Sequence, residues 1–166
     1  MSEPHWITRA RSFIGMREFP GPKHEPRILK FWQLIKAPFR DDETSWCGAF
    51  VGGVLSASGL PIVGGAAGAR SWLKLPVKLA GPVAGCVVVF WRGSPQGWSG
   101  HVGFLVGRDR SGNLMVLGGN QGDMVSIKPF AKARVLGYRW PDPATPPQAR
   151  ELPILSSDGK VSTNEA

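Results

Sequence analysis

Cys47 lies in the run Asp41-Asp-Glu-Thr-Ser-Trp-Cys-Gly-Ala-Phe50, where a polar, acidic stretch stops at a Trp-Cys pair and an apolar segment begins at helical spacing. A thiol in the first turn of a helix faces unpaired N–H groups and the positive end of the helix dipole, and both favour the thiolate. Downstream come His101, in Gly100-His-Val-Gly103, and Asn120, in Gly118-Gly-Asn-Gln121. A cysteine nucleophile needs a depressed pKa, an adjacent base and donors for the oxyanion. Cys47 can supply its own backbone N–H as one such donor. His101 opens an apolar segment between glycines that leave its imidazole accessible, which suits a general base. Asn120 is expected to orient that imidazole through its amide. Gln121 and Asp123 are the alternative third members, because Gly-Asn-Gln-Gly-Asp is also good turn chemistry. Cysteine, histidine and asparagine in this order point to cysteine-hydrolase chemistry.

The elements that would carry these residues can be read from periodicity. Trp6, Ile7, Ala10, Phe13 and Ile14 predict an amphipathic helix over about 4–16, broken by Phe19-Pro-Gly-Pro22. Ile28, Phe31, Trp32 and Ile35 predict a second helix from Glu25 or Pro26 to Ile35, with proline in the first turn. A third, about 47–58, carries Phe50, Val51, Val54 and Leu55 and stops at Gly59. A short helix is expected near 69–74. The character then changes to Val-, Leu-, Phe- and Trp-rich segments separated by turn residues: Cys86–Trp91, His101–Val106, Leu114–Leu117, Met124–Ile127 and Val135–Trp140. These read as an antiparallel meander, and helices followed by strands mean α+β. Residues 1–140 are expected to form the domain. Residues 141–166, beginning Pro-Asp-Pro-Ala-Thr-Pro-Pro, read as a linker and an extended or disordered tail.

Composition narrows the classes. At 166 residues the chain fits one domain with a core of useful size. No apolar run approaches the ~18 residues of a membrane span, and the N-terminus lacks the basic-then-apolar pattern of a secretory signal. The net charge of +8, with a pI near 10.1, draws the surface toward polyanions. The basic residues are scattered rather than clustered, and no aromatic-basic motif points to nucleic acid. Cys86, inside an apolar segment, reads as a small buried hydrophobe, and two cysteines do not make a disulfide framework. Asp41, Asp42 and Glu43 lack the alternating oxygens of a calcium loop, and His5 and His24 lack zinc-ligand spacing. No metal or cofactor is expected. Trp46, Trp72 and Trp98 either line a groove and stack on sugar rings or pack around the third helix. Asp42 is placed beside the site, as a substrate contact or paired with Arg70, and Gln121 is a further substrate contact.

Asp42…Trp46-Cys47-Gly-Ala-Phe50, Ala69-Arg-Ser-Trp72, Gly85-Cys-Val-Val-Val-Phe90, Gly100-His-Val-Gly-Phe104 and Gly118-Gly-Asn-Gln121 resemble the CHAP and NlpC-type superfamily of cysteine, histidine-dependent amidohydrolases and peptidases. The motifs span about residues 5–140, with the closest likeness to the subgroup found in phage lysis or tail modules and near prophages. The resemblance implies a papain-like fold, with helices first and the nucleophile at a helix N-terminus packed on a C-terminal antiparallel sheet. It implies Cys47 as nucleophile, His101 as base and Asn120 as third residue. It also implies cleavage of an amide in the peptide part of bacterial peptidoglycan, as an endopeptidase or N-acetylmuramoyl-L-alanine amidase. The roles open to such a domain are endolysin, phage-tail enzyme, secreted antibacterial toxin, or a catalytically silent wall-binding module. It would be a monomer made in the bacterial cytoplasm and delivered by a holin, a virion tail or a secretion machine to act in the periplasm or wall. Three positions depart from the family pattern, the first being Asn120, where NlpC-type enzymes often carry a second histidine as third residue. Gly118 stands where many CHAP members carry glutamate, and Asp41 stands where papain-like enzymes carry a glutamine that completes the oxyanion hole. An ionised aspartate cannot donate, which leaves a nearby backbone N–H or the Ser45 side chain as the second donor.

Overall fold

The computed structural model describes residues 3–19, 23–39, 45–147, 151–157 and 160–162. Asp41, Asp42 and Glu43 lie outside them. Among the described residues, three α-helices precede a six-stranded sheet: α1 His5–Arg11, α2 Pro26–Leu34, α3 Cys47–Ala57, then β1 Val77–Leu79, β2 Val87–Trp91, β3 Gly100–Arg108, β4 Leu114–Gly118, β5 Ser126–Phe130 and β6 Val135–Trp140. Short 3-10 helices occupy Ala69–Lys74 and Lys132–Arg134. The fold is α+β. None of the described helices is long and apolar enough to cross a membrane.

Each helix follows from its residues. In α2, Glu25 caps the start by accepting from the Arg27 N–H at 3.0 Å, Pro26 sits in the first turn, and Ile28, Phe31 and Trp32 face the core. α1 is shorter than its periodicity predicts. The chain leaves the helix after Arg11 and reaches Gly15 at φ 94°, so Phe13 and Ile14 lie beyond the helix. α3 differs in kind, being buried continuously from Cys47 to Leu55, as expected of a helix apolar on every side. Its glycines are notches. A Cβ on Gly53 would strike the Phe31 ring, and one on Gly52 would strike Ile35, so α2 packs directly on the α3 backbone. Gly59, at φ 76°, ends the helix, and the Leu60 N–H returns to the Leu55 carbonyl at 2.9 Å.

The strand order is β1-β6-β2-β3-β4-β5, antiparallel throughout. The predicted meander therefore holds from β2 to β5, but β6 returns to the other edge and inserts between β1 and β2. β1, only three residues long, has no counterpart among the expected strands. β5 falls later than the expected Met124–Ile127, because Met124 instead bridges Arg17 of the N-terminal segment. The sheet curls strongly. Phe130, at the end of β5, stacks on Phe90 of β2 (centroids 4.8 Å apart) and on the His101 ring (5.0 Å, planes at 3°).

Part of the tail is extended and docked. A bulge between Leu105 and Gly107 shifts the register of β3 against β4. Here the Arg108 N–H donates to the Pro153 carbonyl at 2.9 Å, and the Leu155 N–H donates to the Arg108 carbonyl at 2.8 Å, a parallel bridge at the end of β3. A Cβ on Gly107 would lie 2.6 Å from the Pro153 oxygen, so only glycine admits the tail this closely. Asp109 ties down the neighbouring turn, accepting from the Ser111 and Asn113 amides and from the Ser157 hydroxyl at 2.9 Å.

Candidate active site

α3 begins at Cys47, and the His101 ring lies in the core beside it, on β3. β3 is paired with β2 through His101, opposite Phe90, but its pairing with β4 starts only at Phe104, opposite Leu117. On the β4 side the Val102 N–H is thus left to face the start of α3. Gly48 lets that helix end sit against the 66–67 backbone, since a Cβ would clash with the Ala66 and Ala67 carbonyls.

The residue that meets the ring is Gln121, one position past Asn120. The Gln121 Oε1 is 2.9 Å from His101 Nε2. The amide cannot be turned round: its Nε2 donates to the Val116 carbonyl at 3.1 Å and the Ser126 carbonyl at 2.9 Å, groups that only accept. Oε1 is therefore the end presented to the ring, and His101 Nε2 must carry the proton. The other ring nitrogen, Nδ1, is then the basic one, and it is buried without a hydrogen-bond partner. This is the tautomer a general base beside a thiol requires.

Cys47 is 2 % exposed. Burial alone pushes its thiol up, but the neighbouring His101 imidazole, the Val102 N–H and the Ser45 hydroxyl outweigh it, and the pKa ends below the ordinary 9.0. Cys86, also buried, has no such company, and burial drives its thiol up to about 12. Both cysteines are free thiols. The expected outcome is selective chemistry: at pH 7, iodoacetamide modifies Cys47 and spares Cys86, as peptide mass spectrometry of the alkylated native protein would read. Equal labelling of both would contradict the site's electrostatics.

The two glycines before Asn120 have distinct reasons. A Cβ on Gly118 would collide with Gln121 Oε1 and lie 3.3 Å from His101 Nε2, so a larger residue there would displace the amide from the ring. A Cβ on Gly119 would lie 2.6 Å from the Trp46 ring and 2.7 Å from Phe50 Cβ, so the turn rests directly on the start of α3. Asn120 itself adopts φ 60°, a left-handed conformation that asparagine tolerates better than most residues. It turns away from the ring and donates from Nδ2 to Ser45 Oγ at 3.3 Å.

The other sequence-predicted residues separate. Trp46 and Trp72 are fully buried. The Trp46 indole donates to Glu18 Oε1 at 2.6 Å and the Trp72 indole to the Ala66 carbonyl at 3.0 Å, so both pack around α3 rather than line a groove. Gln121 is likewise inaccessible to a substrate. Trp98 is 90 % exposed, on the β2–β3 loop that leads into His101. Asp42 lies outside the described residues. Arg70 gives its guanidinium to three carbonyls of that same loop, Ser94, Pro95 and Ser99, each at 2.8 Å, and so braces the entry to β3. The turn holding Gln121 is clipped to the N-terminal segment: Gly15 N–H to the Val125 carbonyl and Val125 N–H to the Met16 carbonyl, both at 2.9 Å. Sequence reasoning did not reach the Val102 amide or the Phe130 stack, because both depend on where strands part and curl.

Comparison of the chain with family models, curated proteins and solved structures finds no match in any of the three.

Proposed function

We propose that this chain is a cysteine amidase or peptidase with a papain-like arrangement of helix and sheet, acting on an amide bond in the peptide part of bacterial peptidoglycan. The observation that carries the reading is the line Cys47–His101–Gln121, in which a locked amide fixes the imidazole tautomer and the thiol is held below its ordinary pKa. Cys47 Sγ adds to the amide carbonyl, His101 Nδ1 takes the thiol proton and returns it to the leaving amine, and water then hydrolyses the thioester. The substrate class rests on the motif resemblance, and the +8 charge suits an anionic wall. Delivery by a phage or a secretion machine belongs to the same proposal.

The test is mass spectrometry of muropeptides released from purified sacculi. The expected products carry one new amine and one new carboxylate at a single peptide or lactyl-alanine amide, and prior alkylation of Cys47 abolishes them. Intact muropeptides with undiminished binding to the wall would instead indicate a silent wall-binding module.

A further inference from the structure

The Gly-Gly-Asn turn presses Asn120 against the residues that lead into α3, and its amide is committed there rather than to the imidazole. Asn120 is 2 % exposed and holds φ 60°, a backbone cost tolerated at a position fixed from both sides. Its Nδ2 can only donate, so at 3.3 Å the Ser45 Oγ is the acceptor of that bond. The hydroxyl's single hydrogen therefore points elsewhere. Ser45 stands two residues before Cys47, ahead of a helix whose N-cap, Trp46, makes no side-chain capping bond. Ser45 is exposed, whereas Cys47 and Asn120 are buried.

We propose that Ser45, oriented by Asn120, is the second hydroxyl- or amide-type donor at the reacting centre: its O–H points to Cys47 Sγ in the free protein and passes to the substrate's carbonyl oxygen as the thiolate adds. This rests on the cysteine-hydrolase reading and goes beyond it by giving Asn120 a role other than orienting the histidine. In the step, the Sγ–C bond forms, the carbonyl π pair moves onto oxygen, and the Ser45 hydrogen bond follows the charge from sulfur to oxygen with no proton transferred. Collapse of the tetrahedral adduct expels the amine, which takes its proton from His101. The Cys47 N–H is the other donor to the oxyanion. The Ser45 contribution to lowering the thiol agrees with this geometry.

The test is the pH dependence of iodoacetamide alkylation of Cys47 in the full chain, which needs no wall substrate. Ser45→Ala should move the alkylation midpoint up by about one pH unit, a roughly tenfold loss of thiolate at a fixed pH below it, as expected for one hydrogen bond to a charged group. Ser45→Thr should restore it. Asn120→Gly, which keeps the left-handed turn and deletes the amide, should move the midpoint the same way by less. On sacculi, Ser45→Ala should lower kcat at least tenfold with KM little changed. An unchanged midpoint in Ser45→Ala overturns the proposal, and a shifted midpoint there with none in Asn120→Gly overturns the orienting role. Wild-type protein that cleaves no sacculi, yet shows the midpoint shifts, would sink the wall-hydrolase reading while leaving the Ser45 donor in place.

Discussion

Cys47→Ala should reduce turnover of sacculi by at least about four orders of magnitude, the scale on which nucleophile removal acts in hydrolases built this way. The fold should persist. The substitution deletes one sulfur from a buried position in the core cluster, a change worth about 1 kcal/mol when the neighbours relax only in part. The comparison also carries a pH signature. Folding lowers the thiol below 9.0, so between the folded and unfolded values the unfolded state binds the extra proton. The stability contributed by the thiolate is complete above 9.0 and is lost as pH falls through the lower folded value. Thermal unfolding followed across pH should therefore show wild type gaining on Cys47→Ala as pH rises toward 9.0, and no such gain on the acid side. A flat difference would mean that the thiol is not held as an anion by its neighbours.

The second large effect is expected at Gln121. Gln121→Ala should lower kcat on the order of 10²–10³-fold, because the imidazole loses the partner that fixes its tautomer. It should also cost about 1–3 kcal/mol in stability, since two backbone carbonyls and a ring N–H lose a buried partner. Gln121→Glu separates the two roles. It keeps an acceptor for His101 Nε2 but removes both donors, from the bonds to Val116 and Ser126, and buries a charge in their place. Urea unfolding and kcat measured on the same preparations read the two effects. Asn120→Ala should leave the imidazole's tautomer intact, so its pH–rate profile should keep the wild-type shape, displaced only by the small upward shift of the thiol limb expected when Ser45 loses its partner. A profile lost in Asn120→Ala and preserved in Gln121→Ala would reassign the third position.

Much of this arrangement is legible in the residues. The periodicity of Ile28, Phe31 and Trp32 places α2, the change from polar to apolar at Trp46-Cys47 places the start of α3, and glycines around His101 mark the opening of β3. The choice between Asn120 and Gln121 is not legible, because it turns on one backbone torsion. At φ 60° the Asn120 side chain swings toward Ser45, and the next residue points into the core instead. Trp46 and Trp72 illustrate a different limit. A tryptophan beside a nucleophile suits either a groove or a core, and the notches at Gly48, Gly52 and Gly119, which draw neighbouring segments onto α3, leave room only for the core. The missed β1 and the displaced β5 share a cause. Both are set by partners distant in sequence, β6 for one and the Arg17–Met124 bridge for the other. The docked tail needed Gly107, whose lack of a side chain at a bulge gives no local cue.

The Phe130 stack restricts how the imidazole can take part. A ring covered on one face by Phe130 and bound at Nε2 by Gln121 has no room to turn over between steps. In the proposed cycle one atom, Nδ1, must then both remove the thiol proton and protonate the departing amine. The scissile nitrogen has to arrive on the same side of the ring as the sulfur, so attack is confined to a single stereochemical face of the amide. Handedness at the residues flanking the bond would decide whether a substrate reacts, and a substrate inverted there would bind with its nitrogen out of the proton's reach.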